Sequence, residues 1–127
     1  MPQKRHRHTY RGITWDPSSD TKALFLQSTM QQLPQGMQPL CQPLAMHLKF
    51  DFKRPKSHLT KKGNLTKRAP LQHVQTPDCD NLAKLVMDAC NGHVYVDDKQ
   101  ICQLTVTKTW AKEDATHVNL YAVVASA

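Results

Sequence analysis

Leu44-Ala45-Met46-His47-Leu48-Lys49-Phe50-Asp51-Phe52-Lys53 is the stretch whose reading sets the fold. Leu44, Met46, Leu48, Phe50 and Phe52 alternate with Ala45, His47, Lys49, Asp51 and Lys53, the period of a strand with one face on a core. Upstream, Leu26, Met30 and Leu33, with Ala23 one turn earlier, predict a helix over 19–33. Asp16-Pro17-Ser18-Ser19-Asp20 supplies its start and Leu33-Pro34-Gln35-Gly36 its end. Downstream, Leu82, Leu85, Val86 and Ala89 share one face of a helix over 79–91, with Asp78 as its cap and Asn91-Gly92 as its stop. Val94-Tyr95-Val96 reads as a short strand. Cys102, Leu104 and Val106 alternate, as do Val118, Leu120, Ala122 and Val124. The turn Lys112-Glu113-Asp114-Ala115 between those two runs predicts that they pair antiparallel. Tyr10-Arg11-Gly12-Ile13 can turn a short hairpin within a basic N-terminal segment, 1–15. Residues 53–77, with Pro55, Gly63, Pro70 and Pro77, read as a long basic loop. The sum is an α+β fold: one domain over 1–127, with a small mixed sheet of three to four strands and two main helices.

At 127 residues and 39% hydrophobic, 6% aromatic composition, the chain suits one domain with a thin aliphatic core. No apolar run is long enough to cross a bilayer, no hydrophobic stretch follows the basic N-terminus as a signal peptide requires, and no repeat appears. An intracellular, cytoplasmic setting is expected. Cys41, Cys79, Cys90 and Cys102 form no Cys-x-x-Cys pair, so buried free thiols are expected rather than a zinc site.

The formal net charge is +7, which implies an anionic partner, most often nucleic acid. The charge is uneven. Lys49, Lys53, Arg54, Lys56, Lys61, Lys62, Lys67 and Arg68 stand in one segment whose only acid is Asp51, a local balance equal to that of the whole chain. Lys4, Arg5, Arg7 and Arg11 form a second cluster. The plainer reading of 53–68 is a solvated loop; the functional one is a phosphate-gripping flap, with Arg5, Arg7 and Arg11 on the same face. His6, His8, His58 and His73, lying among cations, would add positive charge at mildly acidic pH. Trp15 and Tyr95 read as packing residues.

Five of the ten acids, Asp78, Asp80, Asp88, Asp97 and Asp98, fall within 78–98. A surface built only to hold phosphate has no use for such a cluster. Asp78 and Asp80 open the second helix; Asp97 and Asp98 arrive after it, on a path that can return beside it. Carboxylates that converge disfavour each other's ionisation unless a cation joins them. Mg²⁺ takes one or two carboxylates, waters and substrate phosphate oxygens, and can activate the attacking water. Lys84, four residues after Asp80, shares its helical face and can stabilise charge on a phosphate. Asp88 is a solvent or salt-bridge position. The plainer readings are helix capping for Asp78 and Asp80 and a turn for Asp97-Asp98.

Three segments carry a resemblance: Thr76-Pro77-Asp78-Cys79-Asp80-Asn81-Leu82-Ala83-Lys84, then Met87-Asp88-Ala89-Cys90-Asn91-Gly92, then Tyr95-Val96-Asp97-Asp98-Lys99-Gln100-Ile101. Together they resemble the signature of RusA-like endodeoxyribonucleases, the Holliday junction resolvases common in phages and prophages. Phe52-Lys53-Arg54-Pro55-Lys56-Ser57-His58 is similar to the basic lead-in of many phage members, and Ala69-Pro70 fits the segment before the motif. Separated motifs at matching spacing are more specific than one Asp-x-Asp.

The resemblance implies a homodimer that binds four-way DNA junctions and nicks two strands symmetrically with Mg²⁺ or Mn²⁺. It implies Asp78, Asp80 and Asp98 as catalytic, metal-holding acids, Lys84 as the essential lysine and Asp97 as a supporting acid. The DNA-gripping set would be Arg5, Arg7, Arg11, Lys53, Arg54, Lys56, Lys61, Lys62, Lys67 and Arg68. Two alternatives stand beside this: a non-catalytic basic DNA-binding protein, and a nuclease for other branched DNA such as flaps and forks. The chain departs from the pattern at Thr76, where many members carry a basic residue, and at Cys79 and Cys90, which replace aliphatics. Many relatives also begin with a strand, so an edge strand is expected to be missing here.

Overall fold

A computed structural model describes residues 7–15 and 22–126, and of 7–11, 15, 22, 23 and 124–126 the backbone only. Arg5 and His6 lie outside the described residues. The elements are β1 (Arg7–Trp15), α1 (Lys22–Gln32), β2 (Leu44–Lys53), α2 (Cys79–Cys90), β3 (Ile101–Ala111) and β4 (Ala115–Ser126), with short 3-10 turns at Lys56–His58 and Asp98–Gln100. The sheet order is β1-β4-β2-β3. The fold is thus α+β, with a four-stranded mixed sheet and two helices.

The alternating stretch 44–53 is the central strand. Its Leu44, Met46, Leu48 and Phe50 join Val118 and Leu120 of β4 in a buried cluster with Phe25 of α1 and Val86 of α2. The other face is polar and cross-linked. Asp51 accepts a hydrogen bond from Thr109 Oγ1 at 2.7 Å and lies 2.9 Å from His117 Nε2, which ties β2 to both neighbours. Burial alone would raise the Asp51 pKa, but these hydrogen bonds and the charge of Lys49 hold it below the ordinary carboxylate value.

Several expectations from sequence are corrected. β3 and β4 do not pair: β2 lies between them, parallel to β3 and antiparallel to β4. Residues 112–114 therefore cross the end of β2. Two strand spacings are about 9.6 Å, within reach of so short a link. The crossing is fastened where Asp114 Oδ1 accepts the Lys53 N–H at 2.7 Å and Ala111 O accepts the Arg54 N–H at 3.1 Å.

The basic N-terminal segment itself supplies an edge strand. Rather than turning a hairpin at 10–13, residues 7–15 run straight and pair with β4 from Arg7↔Ser126 to Trp15↔Val118. Gly12 permits this, because a Cβ there would stand 2.4 Å from the Tyr121 ring. Val94-Tyr95-Val96 forms only isolated bridges, Leu40↔Tyr95 and Asn91↔Tyr95.

The buried residues of α1 are Phe25 and Thr29, with Leu33 buried just past its end, while Met30 is 44% exposed. Two apolar stripes overlap on that helix, and packing selects the one carrying the larger Phe25. In α2 the fully buried set is Ala83, Val86, Ala89 and Cys90, with Leu82 and Leu85 half-buried. Of the four free cysteines only Cys90 is buried; Cys41 and Cys102 are exposed and Cys79 is intermediate. No helix among the described residues is long and apolar enough to cross a membrane.

Candidate active site

Helix α2 carries most of the candidate residues. Asp78 occupies its N-cap in extended backbone, yet its side chain makes no capping hydrogen bond. Asp80 follows in the first turn, and Lys84 and Asp88 continue the line at successive turns. Asp78, Asp80, Lys84 and Asp88 are all exposed. No hydrogen bond or ion pair engages these four side chains among the described residues. Capping therefore does not account for Asp78, and the acids at this helix start face solvent unneutralised. At the far end Gly92, at φ +79°, takes the left-handed turn that stops the helix.

The segment leading into Asp78 is fastened from β3. Lys108 Nζ donates to Gln75 O at 2.6 Å and to Pro77 O at 2.9 Å. A lysine between two carbonyls fixes the chain direction at the first acid. Nothing in the spacing of a β-strand lysine reveals this role.

Asp97 and Asp98 are half-buried and differently employed. Asp97 caps the 3-10 turn: its Oδ1 accepts the Lys99 N–H at 3.0 Å, and Gln100 Oε1 accepts the Asp97 N–H at 2.8 Å. Gln100 Nε2 then donates to Leu40 O at 2.9 Å and Gln42 O at 3.0 Å. This capping box is not among the sequence expectations; its signal is the Asp-x-x-Gln spacing of Asp97 and Gln100. Asp98 Oδ1 accepts from the Tyr95 hydroxyl at 2.6 Å, and that hydroxyl also lies 3.3 Å from Met87 O. Burial, first, and the bond to Asp98 raise the Tyr95 pKa far above its ordinary value, so the phenol stays a donor. Burial and the charge of Asp98 push the neighbouring Cys90 thiol up to about 12, leaving it neutral and inert.

These tethers locate the acids along α2. Asp98 is tied to Tyr95, whose hydroxyl lies 3.3 Å from the Met87 carbonyl of α2, and the Met87 backbone is seven residues past that of Asp80, a rise of about 10 Å. Along β3, Asp98 precedes Ile101, whereas the segment before Asp78 is held by Lys108, about 23 Å further on. Among the described residues no group of three His, Cys, Asp or Glu side chains is placed to hold a metal ion. Asp78, Asp80 and Lys84 thus open α2, while Tyr95 holds Asp98 beside the Met87 turn of the same helix.

The basic segment is more ordered than a solvated loop. Leu59 bridges Leu65, Thr60 O accepts the Gly63 N–H at 2.9 Å, and Asn64 O accepts the Thr60 N–H at 2.7 Å, making a small hairpin with Lys61 and Lys62 at its tip. Lys53, Lys56, Lys61, Lys62, Lys67 and Arg68 are exposed. Arg54 is engaged: its Nη1 donates to Pro70 O at 2.7 Å, and the guanidinium lies 5.7 Å from the Trp110 ring centroid. Trp110 Nε1 donates to Gln72 O at 3.1 Å. His73 lies between Phe52, at 4.3 Å, and Trp110, at 4.4 Å, and His58 meets the Trp110 ring edge-on at 4.9 Å. His73 is a weaker base than a free imidazole, against the charge expected of it in mild acid. Its burial, with Lys108 nearby, lowers its pKa from the usual histidine value. Arg7 and Arg11 lie on β1, where only the backbone is described.

The sequence model of the family described as "Endodeoxyribonuclease RusA" matches residues 1–121. The chain is also similar to "Uncharacterized protein YqaN" of Bacillus subtilis (strain 168), at 34% identity over 85 residues, covering 65% of this chain and 60% of that relative. The matched span reaches from β1 into β4 and includes the exposed acids of α2, the tethered Asp98 and the basic hairpin, so the chain belongs to the RusA endodeoxyribonuclease family.

Proposed function

We propose that the chain is a divalent-metal-dependent endodeoxyribonuclease that acts on branched DNA, with four-way junctions as its substrate, and that it works in the cytoplasm as a homodimer making paired nicks. The observation that carries this reading is the exposed, unneutralised pair Asp78 and Asp80 with Lys84 one turn on, set in a protein whose net charge is +7. Carboxylates facing solvent on a DNA-binding surface repel the ligand unless a cation lies between them.

The donor set fits Mg²⁺ or Mn²⁺. These are hard carboxylate oxygens, and Mg²⁺ takes one or two of them while waters and substrate phosphates complete its shell, so no closed protein cage is required. Asp78 and Asp80 would hold the ion, Asp98 would complete the set, and Asp97 would support Asp98. An ion held by these carboxylates would supply polarisation of the scissile phosphate and a more acidic water. Lys84 stabilises charge developing on the phosphate. Lys53, Lys56, Lys61, Lys62, Lys67 and Arg68 contact backbone oxygens, so affinity falls steeply with salt. Because Tyr95 holds Asp98 beside the Met87 turn, about two turns of α2 past Asp80, a two-fold dimer gives the set a way to be completed between subunits.

That same separation favours the rival, a DNA-binding protein without catalysis. A synthetic four-way junction with Mg²⁺ decides between them. The wild type is expected to cut it, and Asp80→Asn to bind it with unchanged affinity and cut at least a hundredfold more slowly. Binding without cutting by the wild type under any divalent ion supports the rival. Flaps and forks run in parallel test whether the junction is the preferred substrate.

A further inference from the structure

We propose that Tyr95 is a positioning residue for Asp98: its buried hydroxyl fixes the rotation of the carboxylate and leaves the second oxygen to a divalent cation. The inference rests on the functional reading above and concerns how that site is held. Tyr95 is 0% exposed, among the largest fully buried side chains of the protein. If it only filled space, phenylalanine would serve, and a buried hydroxyl without a partner is a cost. Its hydroxyl instead points at the carboxylate of Asp98, at 2.6 Å, with Met87 O as a weaker second neighbour at 3.3 Å.

The backbone on both sides of Asp98 is fixed independently. Leu40 O accepts the Val96 N–H at 3.0 Å and Val94 O accepts the Leu40 N–H at 2.9 Å, which locks the Tyr95 segment against residue 40. The capping box of Asp97 and Gln100 locks the following turn, with Gln100 donating to Leu40 and Gln42 carbonyls. What remains free in Asp98 is its side chain, a choice of about three χ1 wells and the soft, roughly two-fold torsion of the terminal carboxylate. The hydroxyl removes that freedom by engaging Oδ1. Oδ2 has no hydrogen-bond donor among the described residues. A carboxylate with one oxygen bonded within the fold and one free is the arrangement by which outer partners orient metal ligands.

The test uses the full chain and Mn²⁺ as the probe. Mn²⁺ affinity is measured without DNA by electron paramagnetic resonance, and the Mg²⁺ midpoint for cutting a synthetic four-way junction is measured in parallel. Tyr95→Phe is expected to weaken Mn²⁺ binding and raise the Mg²⁺ midpoint by about 10–100-fold, the usual cost of losing such a partner. The midpoint should move more than the plateau rate, and junction binding in Ca²⁺ should be unchanged. In an Asp98→Asn background, Tyr95→Phe should add nothing. Val118→Ala, a buried change away from the site, controls for general loosening. If Tyr95→Phe lowers the folded fraction, the comparison is made in trimethylamine oxide, which restores burial. Wild-type Mn²⁺ affinity and Mg²⁺ midpoint in Tyr95→Phe overturn the inference, as does an equal loss in the Asp98→Asn background. A wild type that neither binds Mn²⁺ nor cuts overturns the nuclease reading itself.

Discussion

Replacing Trp110 by alanine releases the basic hairpin from the sheet. The indole N–H bond to Gln72 O, at 3.1 Å, is lost, at about 1 kcal/mol. So are the ring contacts with His73 and His58, at 4.4 Å and 4.9 Å, each about 0.5–1.5 kcal/mol. The half-exposed contact with Arg54 adds about 0.5–1 kcal/mol. Together these hold residues 54–74 by about 3 kcal/mol, and a two-stranded hairpin on its own is marginal in water. At 1.4 kcal/mol per tenfold, the amides of Thr60, Gly63 and Thr66 should exchange hydrogen roughly a hundredfold faster in Trp110→Ala. Strand β2 should keep its protection. Junction affinity should fall, and the slope of log affinity against log salt should become shallower, because Lys61, Lys62, Lys67 and Arg68 no longer engage phosphates as one rigid set. Unchanged exchange at those three amides would falsify the anchoring argument, and a wild-type salt slope would remove the hairpin from the DNA contact.

Two further outcomes follow from named contacts. Lys108→Met frees the Gln75 and Pro77 carbonyls from a charged donor worth about 1.5–3 kcal/mol; cutting and Mn²⁺ affinity are expected to drop together while junction binding in Ca²⁺ holds, and full Mn²⁺ affinity would refute the clamp. The depressed pKa of Asp51 stabilises the fold above its ordinary value of 3.8, and that contribution is lost as pH falls through the lower folded-state value. Asp51→Asn should therefore cost stability at neutral pH and flatten the decline in urea midpoint between pH 4 and 2; parallel curves for the two proteins would show that Asp51 is not the group responsible.

The parts of this fold written in local periodicity were legible in the sequence. The alternation of 44–53 gave β2, and the spacing of Val86 and Ala89 with Asn91-Gly92 gave α2 and its end. Pairing is non-local, and there the reading failed in one direction. A three-residue link between two alternating runs is most often a hairpin. Here β2 takes the place between them, and its Leu44, Met46, Leu48 and Phe50 are buried in one cluster with Phe25 of α1 and Val86 of α2. The candidate site divided in the same way. Asp78, Asp80, Lys84 and Asp98 stood out as residue types in a pattern, while their supports did not. The hydrogen bonds of Tyr95, Lys108 and Trp110 act across 3 to 38 positions of sequence, and those of Lys108 and Trp110 form only once the sheet is assembled.

The spacing of the acids along α2 leads to a test that needs no structural readout. If each site takes Asp78 and Asp80 from one subunit and Asp98 from the other, Asp80→Asn and Asp98→Asn damage opposite contributions. Each homodimer is then dead at both sites. A mixed dimer has one site with both lesions and one with none. Mixing equal amounts under exchanging conditions makes about half the dimers mixed, and half their sites intact, so about a quarter of the wild-type site count returns. The recovered activity should be nicking of one junction strand at a time rather than paired cutting. If each subunit builds its own site, every site in every mixture carries a lesion and nothing returns. Recovery near a quarter therefore places the chemistry between subunits. A mixture as inactive as its components requires Asp98 to reach Asp80 within one chain, against the bond that Tyr95 makes to it at 2.6 Å.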